Sequence, residues 1–167
     1  MSARRWWDFT LLPVVALVTI LVDQVSKRQV LALLDPNQSW TPIAVLGRFL
    51  SITHVTNTGA AFGLFPSYGY VFMVIAIVVV VAIALYYWHM PAGQTLIKLS
   101  LGLQLGGAVG NLFDRVQYGY VVDFIDFKIW PVFNLADTSI VLGVALLAFA
   151  LLREPGEDRG PVTQQQG

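Results

Sequence analysis

The chain has 167 residues, 56% hydrophobic and only 12% charged, against about 25% charged residues in an average globular protein. Ten basic and ten acidic residues cancel and no basic block is present, so nucleic acid is excluded as a partner. The absence of cysteine removes a thiol nucleophile, a disulfide scaffold and a thiolate metal site, and so little charge could not cover a surface in water.

Four apolar stretches follow in order: about 11–34, 70–88, 96–113 and 133–152. Each is close to the ~20 residues that cross a bilayer as a helix. Their many β-branched residues would suggest strands in water, but a segment in lipid must satisfy its own backbone. Arg4 and Arg5 precede the first stretch as in a secretory signal. No small-x-small cleavage site follows and the apolar pattern resumes at Val30 to Leu34, so a retained helix is expected. Placing the N-terminus inside leaves five basic residues on each side. Arg4 and Arg5, just before the first span, break the tie in favour of two cytoplasmic termini.

The connections differ. His89 to Thr95 holds Pro91 and Gly93 and suits a tight turn. Asp35 to Gly69 is long, and loops of that length usually serve as lids or binding surfaces. Within it, Phe49 to Val55 alternates as a short strand would, and the link from Asp114 to Pro131 offers a second at Tyr118 to Val122. The tail 153–167 is expected to be disordered. Trp6, Trp7, Tyr86, Tyr87, Trp88 and Trp130 lie at span ends as interfacial belts. The expected fold is an all-α membrane protein: four transmembrane helices, with a small extracytoplasmic β-element and an interfacial helix in the long loop. Residues 1–152 would form one domain.

Carboxylates near hydrocarbon are costly and tend to be kept for function. Asp123 lies in Val-Val-Asp-Phe-Ile and Asp137 in Phe-Asn-Leu-Ala-Asp. Up-down topology brings the end of the third span beside the start of the fourth, so the two can approach. Paired carboxylates can share a proton and direct water onto a carbonyl. The plainer account makes Asp123 a loop acid and Asp137 a helix N-terminal charge. Asp126, three residues from Asp123, competes for the role.

Gly102, Gly106 and Gly110 recur every fourth residue, a face for close helix contact. Asn111 and Arg115 share a helix face if the third span reaches that far, and could then hold a carboxylate or a substrate carbonyl. Asp23 and Lys27, also four apart, read as a self-neutralised pair. Ser26 and Lys27 are adjacent and point apart, which argues against a Ser-Lys nucleophile. His54 and His89 lie in separate segments without a second ligand at metal spacing.

The assembled pattern resembles the signal peptidase II family of lipoprotein signal peptidases, over about Leu11 to Leu152. The matching pieces are Asp23-Gln24-x-x-Lys27, Asn57-Thr58-Gly59-Ala60-Ala61-Phe62, Gly110-Asn111-x-x-Asp114-Arg115, Val121-Val122-Asp123-Phe124 and Phe133-Asn134-x-Ala136-Asp137. The resemblance implies a multi-pass enzyme of the bacterial inner membrane, with its active site near the outer face. Such an aspartyl endopeptidase cuts diacylglyceryl prolipoproteins just before the lipidated cysteine. It implies Asp123 and Asp137 as the catalytic pair, with Asn57, Gly59, Asn111, Arg115, Asn134 and Ala136 around it and Asp23 with Lys27 in support. It also implies no cofactor, a monomer among membrane lipids, and inhibition by globomycin-type cyclic peptides. The rival readings are a small proton- or cation-coupled transporter, weakened by the lack of an internal repeat, and a membrane adaptor.

Overall fold

The structure is a computed structural model and describes residues 3–59 and 69–153, the side chains of 3–8 and 46 excepted. Four helices in it are long and apolar enough to cross a membrane: α1 (Ala3–Leu33), α2 (Gly69–Trp88), α3 (Thr95–Tyr118) and α4 (Leu135–Arg153). The interfacial helix expected beyond Asn57, the Ala60-Ala61-Phe62 motif and the tail from 154 lie outside the described residues, as do the side chains of Trp6 and Trp7.

Helix α3 is the centre of the bundle and packs against α1, α2 and α4. Its glycines allow this. A Cβ on Gly102 or Gly106 would meet Val15 or Thr19 and the carbonyls of Leu12 or Ala16 on α1, while Gly107 abuts the carbonyl of Ala136 on α4. Leu12, Ile83, Ile97, Leu101 and Ala150 fill the core at one end of the bundle. The outer face of α1, from Val14 through Leu17, Val18, Leu21 and Val22 to Val25, stays exposed, a surface suited to lipid. Pro13 lies within α1 and cannot donate to the carbonyl four residues back. That carbonyl belongs to Phe9, and the Tyr87 hydroxyl of α2 donates to it instead.

The β-element is a three-stranded antiparallel sheet in the order β1 (Ser39–Trp40), β2 (Ser51–Asn57), β3 (Val121–Asp126). Part of the long loop is therefore the fixed central strand of a sheet, with an irregularity between Ile52 and Val55. Val122 and Phe124 of β3 pack with Val30 of α1 in a second core.

Two boundaries differ from the sequence reading in ways that matter. The third helix runs on to Tyr118 instead of stopping at Phe113, because Asn111, Asp114 and Arg115 find partners in the bundle and need no water. It ends at Gly119, whose positive φ of 81° lets its N–H return to the Arg115 carbonyl at 3.0 Å. The strand expected at Tyr118 to Val122 is β3, which begins at Val121 and reaches Asp126, so Asp123 belongs to a strand.

Candidate active site

After β3 the chain doubles back sharply. Lys128 takes a positive φ of 61°, and Asp126 Oδ1 accepts its N–H at 2.9 Å. The Phe133 carbonyl then accepts the N–H groups of Phe124 and Ile125. Asn134 is thereby delivered against Asp123 just as α4 begins.

Asn134 caps α4. Its Oδ1 accepts the N–H of Asp137 at 2.8 Å, and Asp137 Oδ2 accepts the Asn134 N–H at 3.4 Å, a reciprocal capping box. The cap puts Asp137 at the positive end of the α4 dipole. The Asn134 amide group has two hydrogens and spends both, on Asp123 Oδ1 at 2.7 Å and Asn111 Oδ1 at 3.1 Å. Asn111 in turn donates to Asp137 Oδ1 at 2.7 Å. From the other side, Asn57 at the end of β2 donates to Asp123 Oδ2 at 2.8 Å. Asp123 and Asp137 are thus oriented by the same set of amides.

Both carboxylates line one cavity of about 480 Å³, whose other walls include Trp130, Phe133, Ile140 and Val141. Asp123 is 1% exposed. Burial, then the negative charge of Asp137, pushes its carboxyl up to about 7, while the Asn57 and Asn134 amides pull it back.

Asp126 has a different environment. Residues three apart on a strand point to opposite faces, and Asp126 pairs with Lys128 Nζ at 2.6 Å and accepts from Thr53 at 2.8 Å. Burial pushes it up, but Lys128 and Thr53 outweigh that and hold it below the usual carboxylate range. A larger cavity of about 620 Å³, walled by Val30, Leu33, Trp40, Ile52 and Phe124, has no carboxylate in its lining.

The remaining expected residues gather around the two aspartates. Arg115 Nη2 donates to the Gly59 carbonyl at 3.0 Å, and the Gly59 N–H goes to Asn57 Oδ1 at 3.0 Å. Arg115 Nε is buried with no partner among the described residues. Ala136 donates its N–H to Asp23 Oδ1 at 2.9 Å, and Lys27 bonds Asp23 at 2.9 Å. Asp23 and Lys27 are fully buried, with 0% and 1% exposure, and form the pair their spacing of four suggests. Sequence reasoning assigned no role to Asp114 or Gln24. Asp114 is fully buried and accepts from Lys27, Gln24 and the Val122 N–H. A signal was available: Asp114 lies three residues after Asn111, on the same face of a helix that had been cut short.

This geometry is matched by similarity along the chain. Residues 15–153 match the family model described as signal peptidase (SPase) II. The chain belongs to the signal peptidase II family. The lipoprotein signal peptidase of Moorella thermoacetica is 46% identical over 85% of this chain and 93% of its own length. That of Syntrophomonas wolfei is 44% identical over 93% and 98%. A bacterial membrane enzyme solved by the in meso method at 2.3 Å superposes with a TM-score of 0.80 at 31% identity, covering 90% of this chain and 92% of the other. Signal peptidase II membership makes the chain a protease of the membrane and leaves the transporter reading without support.

Proposed function

We propose that the protein is an aspartic endopeptidase that removes signal peptides from diacylglyceryl-modified prolipoproteins, cutting just before the lipidated cysteine. One observation carries the catalytic assignment: Asp123 and Asp137 line the same cavity and are linked by the shared amides of Asn134 and Asn111.

Two neighbouring buried carboxylates cannot both ionise easily, so the pair holds one proton. In this reading Asp123 carries it, and Asp137, at the helix N-terminus, carries the charge. Asp137 takes a proton from water as the oxygen attacks the scissile carbonyl, and Asp123 gives its proton to the carbonyl oxygen. The tetrahedral intermediate collapses as the scissile C–N bond breaks. The proton on Asp137 passes to the leaving amine, and a hydroxyl proton returns to Asp123. The apolar cavity wall of Ile140 and Val141 continues onto the outer face of α4, so a signal peptide can enter sideways from lipid.

The same reading gives residues 1–152 as one peptidase domain with a cytoplasmic tail from 153. The enzyme is a monomer in the bacterial inner membrane with both termini cytoplasmic. The cavity also takes globomycin-type cyclic peptides. Purified protein in detergent is to be given a diacylglyceryl prolipoprotein and its unlipidated form, and the products separated by gel shift. Shortening of the lipidated form alone is expected. Equal cleavage of both would refute the lipid requirement.

A further inference from the structure

We infer that Lys27, Asp23 and Asp114 form a single clamp that positions the two catalytic carboxylates through the backbone just ahead of each. This rests on the catalytic reading of Asp123 and Asp137 given above and adds Asp114 and Gln24 as positioning residues.

An ammonium has three N–H donors and no acceptor. Lys27 Nζ meets three acceptors: Asp23 Oδ2 at 2.9 Å, Asp114 Oδ2 at 2.9 Å and Asn111 Oδ1 at 3.0 Å. Each carboxylate also holds one backbone N–H. Asp23 Oδ1 takes that of Ala136 at 2.9 Å, and Asp114 Oδ2 takes that of Val122 at 3.1 Å. Ala136 immediately precedes Asp137, and Val122 immediately precedes Asp123. One cation thus reaches the start of α4 and the start of β3 by two arms of the same make-up.

The third arm sets a direction. Because Lys27 can only donate, it must face Asn111 Oδ1, which turns Asn111 Nδ2 toward Asp137. Gln24 ties the arms together, its Nε2 reaching Asp23 Oδ2 at 3.2 Å and Asp114 Oδ1 at 2.8 Å. Lys27, Asp23 and Asp114 are all under 2% exposed. This cluster of carboxylates and ammonium, buried away from water, is often less stable than an apolar arrangement of equal size. What it supplies is position, which matters because misplacing a reacting group by about 1 Å can cost about 10² in rate.

The test uses the full chain in detergent with a diacylglyceryl prolipoprotein. Asp114→Ala, Asp114→Asn and Asp123→Asn are compared by kcat per folded molecule, KM and thermal unfolding. Asp114→Ala frees the Val122 N–H and should lower kcat by about 10², with KM within about twofold. Asp114→Asn keeps an acceptor for that N–H and should recover roughly tenfold of the loss. Asp123→Asn should be inactive. Wild-type kcat per folded molecule in Asp114→Ala, beside an inactive Asp123→Asn, overturns the clamp and leaves the catalytic pair standing. Should Asp114→Ala not fold, wild-type kcat in folded Asp114→Asn overturns it equally. An active Asp123→Asn overturns the catalytic reading on which the clamp rests.

Discussion

Asn134 Nδ2 donates to Asp123 Oδ1 at 2.7 Å, and the same side chain caps the helix that carries Asp137. One residue therefore couples the direction of a strand carboxylate to the position of a helix carboxylate. Asp123→Asn and Asp137→Asn nearly preserve shape but cannot ionise. Each should lower cleavage by at least ~10²–10⁴, and the double variant should be little worse than either, because the two act as one unit. Asp126→Asn should keep most activity, since its contacts are with Lys128 and Thr53. Near wild-type cleavage by folded Asp123→Asn would sink the mechanism.

Activity should fall as pH rises through about 7. Asp123 is held up to about 7 by burial and by Asp137, so below that value it keeps its proton and above it the proton is lost. A pair with no proton cannot donate to the carbonyl oxygen. Asn57 donates to Asp123 Oδ2 and favours its charged form, so Asn57→Ala should move the alkaline limb of kcat/KM to higher pH. A limb that moves lower, or none near neutrality, contradicts the assignment of the proton to Asp123.

Asn111→Asp tests the amide relay. The new carboxylate still accepts from Lys27 and Asn134 but can no longer donate to Asp137, where it sets a like charge in place of a 2.7 Å hydrogen bond. Cleavage should fall at least roughly tenfold, with a smaller loss in Asn111→Gln if its longer amide still reaches. Equal activity of Asn111→Asp and wild type would show that the donor is dispensable.

Gly110 faces Asp23 so closely that an added Cβ would lie 2.6 Å from Asp23 Oδ2. Gly110→Ala must push α1 from α3 or displace the Asp23 carboxylate. Destabilisation of about 1–3 kcal/mol is expected, together with loss of cleavage, since Asp23 holds the Ala136 N–H. Thermal unfolding in detergent measures the first and the cleavage assay the second. An unchanged unfolding temperature would mean that the contact relaxes freely.

The spans were legible in the sequence by itself because the bilayer imposes a local rule. A run of apolar residues must bond its own backbone, so length and hydropathy suffice to find α1, α2 and α4. The glycine spacing of α3 was legible for the same reason, being a property of one helix face. The motifs around Asp123 and Asp137 named a family without any geometry. Only the tertiary structure decided how far α3 runs, because Asn111, Asp114 and Arg115 are polar and continue the helix solely where neighbouring elements satisfy them. It separated Asp123 from Asp126, since the two faces of β3 exist only once β3 pairs with β2 in its register. It also brought Lys27 against Asp114, 87 positions apart in the chain. A spacing of four predicts the bond from Lys27 to Asp23, but a contact between two helices depends on how they pack, and local sequence does not encode that.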